Sequence, residues 1–428
     1  MEGSIYTSQN VIRVACAMRT TGPITSHQSV RTAHATEEAI FCMRLYRHAG
    51  QWLLCALVAG CAAAPISTPS SPPPTTQSTP DSVSAPVASQ AAPAESGAAT
   101  TTKAEASEVR IAAVGDIMLG GTAGPEMQKY GYDYPFERTQ SFLKQAQIVF
   151  GNLEGPLTEG GATETPKKYV FRSPPDKVAP ALARAGFNIV SLANNHSLDY
   201  GPQGLEDTRA ALEKAGIHGV GAGRNLAEAR TPVYMVKGGA TVAFLAYSLT
   251  FPEEFWAGPD KPGTAFGHEQ HVRADVAAAR QKADIVVVSF HWGQEGKTEL
   301  RDYQTQLAHA AIDAGASAVL GHHPHILQAV ERYQDGVILY SLGNFAFGSF
   351  SNTATRSAMA LLTFRDRQWS ELRLQPINVR NAEVVFQPRP LAGRDAAQVV
   401  EQLQQMSQER GTALENRDGV AVLTAGKN

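Results

Sequence analysis

Five short apolar segments of the chain are each followed at once by side chains that can bind a metal ion or move a proton. Their length and composition predict strands that are buried on both faces. Ligands of open α/β sheets collect beyond the carboxyl ends of such strands, so we expect these side chains to meet at one edge of one sheet. The segments and their followers are Val109–Val114 with Asp116; Ile148–Phe150 with Asn152 and Glu154; Ile189–Leu192 with Asn194, Asn195, His196 and Asp199; Ile285–Phe290 with His291 and Glu295; and Ala318–Leu320 with His322, His323 and His325.

The residue types restrict which cations could bind there. Carboxylate, carboxamide and imidazole groups are ligands for hard or borderline divalent metals. The cysteines, Cys16, Cys42, Cys55 and Cys61, all precede the first strand, so a thiolate site is excluded beyond it. The candidates are Mn, Fe, Zn or Mg, and we expect two ions. Two cations held ~4 Å apart bind an oxyanion and lower the pKa of a water between them, while a nearby imidazole protonates the leaving group.

The elements between these strands must position their ends. Helical patterns alternate with the strands, which is typical of βαβ packing and predicts a single α/β domain. The pattern then changes, and Met359–Phe364 and Leu372–Leu374 are expected as antiparallel strands before a polar helix near Ala396–Glu409. The other expected elements are helices around Thr139–Ala146, Asp176–Ala185, Gly204–Ala215, Val272–Lys282 and Tyr303–Ala314, and strands Thr241–Tyr247 and Val337–Tyr340.

Six motifs resemble one bacterial family, CapA (PGA_cap), and follow its order over residues 109–365. The resemblance implies a fold related to calcineurin-like metallophosphoesterases, a four-layer sandwich of mixed β-sheets flanked by helices. It also implies a role in the synthesis and export of poly-γ-glutamate capsules. The motifs are Gly115–Leu119 (GDIML), Gly151–Pro156 (GNLEGP), Ala193–Gly201 (ANNHSLDYG), His291–Glu295 (HWGQE), Gly321–His325 (GHHPH) and Tyr340–Phe345 (YSLGNF).

The same resemblance implies a role for individual residues. Glu154 stands where phosphoesterases place a bridging aspartate, and His196 resembles their catalytic proton donor. The implied metal ligands are Asp116, Glu154, Asn195, His291, His323 and His325. Two positions depart from the phosphoesterase pattern. Met118 occupies the place of a histidine, and a thioether is a poor ligand for hard cations; Glu154 is one methylene longer than aspartate and changes the spacing.

Several neighbours of the motifs are open to two interpretations. Asn194 either holds its loop or binds metal, and we favour the loop. Asp199 either caps the following helix or hydrogen-bonds a ligand histidine. His322 points either into the site or away from it, whereas His323 and His325, two residues apart, are expected to share a face.

Substrate contacts are also open. Glu295 either contacts substrate or lies in a solvated turn, and Asn344 either lines the site or ends a strand. Asn152 is expected to support the site or contact substrate. Arg172 belongs to a basic stretch with Lys167, Lys168 and Tyr169, which we expect on a strand. That stretch either binds an anionic substrate or forms a solvated face.

The amino-terminal part of the chain predicts a lipoprotein. Residues 43–61 have a basic start, a short apolar run and the sequence LVAGC, which is typical of a lipoprotein signal peptide with Cys61 as the lipidated residue. Residues 1–42 would then be unstructured or untranslated, with Met43 as the start. Residues 62–108 are rich in Pro, Ala, Ser and Thr and are expected to form a disordered tether. The domain is expected at 109–392, with a carboxy-terminal helix and tail at 393–428.

These features predict an envelope protein anchored to a membrane, with its domain outside the cytoplasm. Its expected substrate is an anionic polymer or a phosphoester, and other capsule-synthesis membrane proteins are possible partners. The formal net charge of −3 gives no reason to expect nucleic acid. The alternatives to a metal-dependent hydrolase or transferase are a non-catalytic polymer-binding assembly factor and a periplasmic phosphoesterase or nucleotidase. The last lacks a separate nucleoside-binding domain in the sequence.

Overall fold

The computed structural model of the protein describes residues 107–163 and 165–426. The segment 1–42, the signal peptide at 43–61 with its Cys61, and the tether up to residue 106 lie outside the described residues. The first strand begins at Glu108, which the sequence assigned to the tether. No helix in the described ranges is both long enough and apolar enough to span a bilayer.

The described part of the chain alternates strands and helices for most of its length. The strands are β1 (Glu108–Met118), β2 (Ile148–Leu153), β3 (Ile189–Ser191), β4 (His218–Val220), β5 (Ala222–Gly223), β6 (Val233–Lys237), β7 (Ala240–Ser248), β8 (Gly263–Thr264), β9 (Ile285–His291), β10 (Ala318–His322), β11 (Val330–Tyr333), β12 (Gly336–Leu339), β13 (Asn344–Phe347), β14 (Arg356–Arg365), β15 (Gln368–Asn378), β16 (Arg389–Pro390), β17 (Glu415–Arg417) and β18 (Val420–Thr424). The α-helices are α1 (Gly124–Tyr130), α2 (Gln140–Leu143), α3 (Pro175–Ala185), α4 (Gly201–Lys214), α5 (Leu226–Ala229), α6 (Glu269–Arg280), α7 (Asp302–Asp313), α8 (Asn381–Val384) and α9 (Gly393–Gln408).

The strands form two large mixed sheets and a small ribbon. The larger sheet has the order β17-β18-β15-β14-β1-β2-β3-β4, with β13 also pairing with β1 and β16 with β15. The smaller has the order β11-β12-β10-β9-β7-β6, and β5 pairs with β8. Parallel strands occupy the centre of the smaller sheet and one half of the larger sheet, while antiparallel pairs complete both.

Burial on both faces explains the apolar strands. In β9, Ile285 and Val287 enter the core between the two sheets, whereas Val286 and Val288 pack against α6 and α7. The same alternation in β1 sends Ile111 between the sheets and the neighbouring Ala112 into the core shared with α3 and α4. The layers are therefore helices, sheet, sheet and helices, so the predicted α/β fold with mixed sheets and flanking helices is confirmed.

The expectation that all five site-bearing strands share one sheet is wrong. β1, β2 and β3 belong to the larger sheet, while β9 and β10 belong to the smaller. An all-apolar run predicts a strand that is buried on both faces, but it does not encode which strands lie beside it. The ends still converge because the two sheets pack face to face across a common core.

The residues after 392, expected as a helix and a tail, extend the same domain. Val399, Val400 and Leu403 of α9 enter the core between the sheets. The hairpin β17–β18 then joins the larger sheet, with Leu423 opposite Leu372 of β15. This antiparallel pairing adds a further edge to the sheet, which the weak local pattern of residues 415–424 did not predict.

Candidate metal centre

The first strand reaches the centre through a local irregularity. β1 pairs with β14 as far as Ala113, shifts its register, and then pairs with β13, so that Asp116 lies opposite Asn344. A side chain at Gly115 would place its Cβ 1.8 Å from the carbonyl oxygen of Gly343, so only glycine fits there. Gly321 makes room in the same way for the carbonyl of Tyr340.

The second strand supplies Asn152 and Glu154, both fully buried. The backbone N–H of Glu154 donates to the carbonyl of Ile117 (2.8 Å), which fixes it beside β1. The Asn152 amide donates to Asp116 Oδ1 (2.9 Å) and lies 3.2 Å from His291 Nδ1. Asn152, which was expected to support the site or contact substrate, thus connects the two sheets within the cluster.

The smaller sheet supplies the histidines. His291 ends β9, and its Nε2 lies 2.9 Å from Asn195 Oδ1 and 3.6 Å from Glu154 Oε1. His323 and His325 follow β10 in a loop rather than on a strand, with φ of 94° and 59°. Positive φ in a residue other than glycine costs of order 1–3 kcal/mol and persists where the surrounding structure enforces it, often at functional sites.

The arrangement fits a divalent cation. Three groups place one ligand atom per residue within 4.8 Å of one another: Glu154, His291 and His323; Glu295, His323 and His325; and Asp116, Glu154 and His325. Two ligands of one tetrahedral cation lie roughly 3.3–3.6 Å apart, given bonds of about 2.0–2.2 Å. The separations Asp116–His325 (3.2 Å) and Glu154–His291 (3.6 Å) are close to this range.

Unsatisfied atoms provide a second test of the fit. Within the described residues, Glu154 Oε1 and His323 Nδ1 are buried without a hydrogen-bond partner. A buried polar atom without a partner retains its desolvation penalty, which is why native proteins rarely leave one. Bound cations would satisfy both atoms, so the donor set and its unsatisfied atoms agree with a metal centre.

Burial and neighbouring charges shift the pKa values of the two carboxylates of the cluster in opposite directions. It raises the pKa of Glu154 well above that of an ordinary carboxyl group, and the nearby Asp116 raises it further. Burial also raises the pKa of Asp116, but its interactions with His322 and His325 outweigh this and hold it well below the usual value.

The pKa values of the histidines also shift in opposite directions. Burial, assisted by His325, lowers the pKa of His323 to about 4, and burial also lowers that of His291 well below normal. In His325 the lowering by burial is overcome by Glu154 and Asp116, so its pKa rises to about 10. His291 and His323 thus have the neutral form that a cation needs, whereas a cation must displace a proton from His325.

The loop after β3 holds His196 through a network of polar contacts. Asp199 accepts from His196 Nδ1 (2.6 Å) and from the backbone N–H of Phe171 (2.8 Å). Lys167 forms an ion pair with Asp199, donates to the carbonyl of Asn195, and lies 3.1 Å from His196 Nδ1. Asp199 therefore bonds His196 rather than a ligand histidine, and its side chain does not cap α4.

Asn194 makes the contacts expected of a loop-holding residue. Its amide nitrogen donates to the carbonyl of Leu153 (2.8 Å), and its oxygen accepts from the His196 N–H (3.0 Å) and the Ser197 hydroxyl (3.0 Å). It also donates to Asn152 Oδ1 (3.1 Å), so it ties the β3 loop to the β2 loop.

Three residues for which the sequence allowed two interpretations lie in the cluster. Asn344 Oδ1 is 2.9 Å from His325 Nδ1. Glu295 is exposed, yet its carboxylate falls within the group of His323 and His325 and so marks the open side of the centre. His322 points inward, with Nδ1 3.4 Å from Asp116 Oδ1.

The basic stretch differs from its prediction. Residues 165–172 form a loop, not a strand. Arg172 is exposed, lies over the ring of Tyr200 and donates to the carbonyl of Glu159, so its contacts are with neither carboxylate nor imidazole of the cluster. Lys167 instead turns inward to Asp199. Its role was missed because a lysine beside other polar residues gives no signal of burial in the sequence.

The fold and this cluster together define a class: a two-sheet α/β domain with a candidate divalent-metal centre where strand ends of both sheets meet. Within that class the chain belongs to the PGA_cap family, "Bacterial capsule synthesis protein PGA_cap", whose profile matches residues 110–349. The resemblance of the six motifs to this family is thereby confirmed.

Curated relatives agree with this membership. The chain is 33% identical over 293 residues to the capsule biosynthesis protein CapA of Bacillus anthracis, covering 67% of this chain and 70% of that one. It is also 33% identical over 270 residues to the PGA biosynthesis protein CapA of Bacillus subtilis (63% and 71% covered). A probable polyglutamine synthesis accessory protein of Mycobacterium tuberculosis is 37% identical over 204 residues (45% and 53% covered).

Solved structures show more distant similarity. A putative 5′-nucleotidase from Staphylococcus aureus matches with a TM-score of 0.40 and 15% identity, covering 70% of this chain and 58% of that one. The calcineurin-like phosphoesterase YfkN from Bacillus subtilis matches with a TM-score of 0.38 and 13% identity, covering 62% and 88%. Similarity at this level says nothing about the activity of this chain.

Proposed function

We propose that the protein is an envelope factor of capsule biosynthesis that hydrolyses or transfers an anionic, poly-γ-glutamate-like polymer or a phosphoester with the help of divalent cations. Membership of the PGA_cap family supports the capsule role. The observation that carries the chemical part is the buried cluster in which Glu154 Oε1 faces His291 and His325 and has no hydrogen-bond donor among the described residues.

The cluster suggests how the residues divide the work. When bound, two cations of Mn, Fe, Zn or Mg would supply Lewis acidity and activate water. Glu154 lies between the ligand groups and is the candidate bridging carboxylate. The residues that would hold the cations are Asp116, Glu154, Asn195, His291, His323 and His325.

His196 is the candidate proton donor. Its Nδ1 donates to Asp199, so Nε2 is the atom that would transfer a proton to the leaving group, and it carries that proton in the doubly protonated form of the ring. Lys167 and Asn194 hold the two sides of the same loop. Fixing both the tautomer and the orientation of an imidazole is what general acid catalysis requires.

The cellular setting follows from the sequence of the amino-terminal segment. We propose a lipid anchor on Cys61, a tether that holds the domain away from the membrane, and other capsule-synthesis membrane proteins as partners. Replacing Cys61 with Ser should release the protein from the membrane fraction, with Cys55→Ser as the control. Intact mass of the extracted wild-type protein should show a lipidated chain beginning at Cys61; a chain that retains residues 1–42 would contradict this.

A second candidate is a non-catalytic factor that binds the polymer. Met118 favours it, because this buried thioether packs beside Gly121 and Gly155 where a phosphoesterase has a ligand histidine. Metal analysis separates the two functions. A protein that neither carries a cation nor gains one on adding Mn²⁺ or Zn²⁺ would support the binding role.

The test of the enzymatic proposal combines metal content with turnover. The purified full-length protein is analysed for bound metal and then assayed with bis(p-nitrophenyl) phosphate and with poly-γ-glutamate. His196→Ala should abolish turnover while metal content stays at the wild-type level, and His218→Ala, an exposed position on β4, is the matched control. Unchanged turnover of His196→Ala would refute the assigned role.

A further inference from the structure

His322 is a fully buried imidazole whose ring nitrogens have no hydrogen-bond partner in the described part of the chain. It ends β10, on the same side as Ala318 and Leu320, and so points into the space between the two sheets. Its ring lies 5.9 Å from that of Phe150. Neither ring nitrogen finds a partner among the described residues.

This environment does not suit an ordinary core histidine. An imidazole carries at least one N–H and one lone pair in its neutral form, and burial removes the water that would bind them. Buried side chains of this type are normally hydrogen-bonded, and each exception needs an explanation such as an ion or a reactive role. A residue kept only for packing would be better served by an apolar ring.

The position relative to Asp116 suggests what satisfies the ring. Nδ1 of His322 lies 3.4 Å from Asp116 Oδ1. That separation exceeds a typical N–H···O bond, but it matches two ligands of one tetrahedral cation, which lie roughly 3.3–3.6 Å apart. Asp116 Oδ2 meanwhile faces His325 Nδ1 at 3.2 Å.

We infer that His322 is a metal ligand that binds, together with Asp116, the cation at the end of β1. It supplies the imidazole that the phosphoesterase pattern places at the position of Met118, and it does so from the other sheet. The inference rests on the proposed function, since both require a metal-binding cluster. It differs from the ligand set given above, in which only His291, His323 and His325 contribute imidazoles.

The test is a metal titration of the full-length protein. Wild type, His322→Phe and His322→Gln are stripped with chelator, checked for folding by circular dichroism, and titrated with Zn²⁺ and with Mn²⁺. The control is His218→Gln, which removes an exposed histidine from β4. We expect the control to match wild type, and His322→Phe to lose one cation per chain or bind it at least about 10-fold more weakly.

The outcomes separate the two proposals. If wild type binds cations and both His322 variants bind them with unchanged number and affinity, the inference is overturned while the proposed function survives. If wild type binds none, both fail. Should His322→Phe not fold, His322→Gln and zinc-edge absorption of wild type remain; the absorption should count His322 in addition to His291, His323 and His325, and a count of three imidazoles would overturn the inference.

Discussion

Two buried glutamates in this molecule lie in opposite circumstances. Glu331, on β11, is fully paired: Oε1 lies 3.0 Å from His309 Nε2, and Oε2 accepts from the Tyr340 hydroxyl (2.6 Å) and from Arg410 (3.2 Å). Glu154 is more deeply buried, yet its Oε1 has no hydrogen-bond donor in the part of the chain that the structure describes.

The difference separates a cluster whose members satisfy one another from the cluster that we propose binds cations. The groups around Glu331 join α7, the β11–β12 hairpin and the end of α9, and they satisfy one another. The groups around Glu154 are brought together at the cost of burial, raised pKa and strained backbone, and within the described residues they leave Glu154 Oε1 and His323 Nδ1 without a hydrogen-bond partner. Buried atoms without partners carry a desolvation cost that a bound cation would offset, and the donor set suits a cation.

The largest expected effect is on metal binding at Glu154. Glu154→Gln removes the charge of the carboxylate common to two of the three ligand groups. We expect metal affinity to fall by more than about 100-fold and turnover to disappear, since loss even of residues that support ligands costs 10–100-fold. Calorimetric titration with Zn²⁺ measures this, and an unchanged affinity would remove Glu154 from the centre.

The same comparison predicts unequal losses of stability. Glu331→Gln should lower the free energy of unfolding by about 2–3 kcal/mol, because the amide loses the negative charge that pairs with Arg410 and keeps only one of the two oxygens that face His309, Tyr340 and Arg410. The partial exposure of Arg410 reduces the effect. Glu154→Gln in chelator should cost less than about 1 kcal/mol. Urea denaturation of both variants gives the two values, and equal losses would contradict the distinction.

A third expected effect lies between the two clusters. Lys167 forms an ion pair with Asp199 and lies beside His196. Its contacts are satisfied like those of Glu331, but they hold the candidate proton donor of the metal centre. Lys167→Met should lower turnover by roughly 10–100-fold, the range of a misplaced general acid, with metal content unchanged. Lys168→Met, at the exposed neighbouring position, is the control; equal losses in both would mean that charge alone matters.

The smallest effect concerns the pH dependence of stability at the cluster around Glu331. Burial, and then the bond to Glu331, raises the pKa of Tyr340 above that of a free phenol. The folded protein therefore keeps this proton where the unfolded chain loses it, so the contribution of Tyr340 to stability falls as pH rises above about 10. Tyr340→Phe should cost about 1 kcal/mol at pH 7 and flatten that decline. Urea denaturation at pH 7 and 10.5, with Tyr333→Phe as the control, measures both; an equally steep alkaline decline in Tyr340→Phe would be the contrary result.

The sequence predicted most of the candidate site because strand ends are local features. An apolar run followed by Asp116, Glu154 or His291 indicates both the strand and the residue at its end. We expected these residues to lie close together because the ends of their strands meet. The ends do meet, although the strands belong to two sheets. The six motifs, which occur in the order typical of the family, predicted the family itself.

What the sequence could not predict depends on long-range pairing. The register that sets Asp116 opposite Asn344 joins residues more than two hundred positions apart, and no local pattern carries it. The inward turn of Lys167 and of His322 depends on neighbours from other elements in the same way. The hairpin of β17 and β18 was missed because its apolar stretch is short and is stabilised by β15, which precedes it by about forty residues.

The most direct measurement is anomalous diffraction at the zinc edge from crystals of the wild-type protein soaked in zinc. The account predicts a peak among Glu154, His291 and His323, about 2.0–2.2 Å from Glu154 Oε1. Zinc found only at surface residues, with Glu154 Oε1 bonded to a protein donor instead, would contradict it.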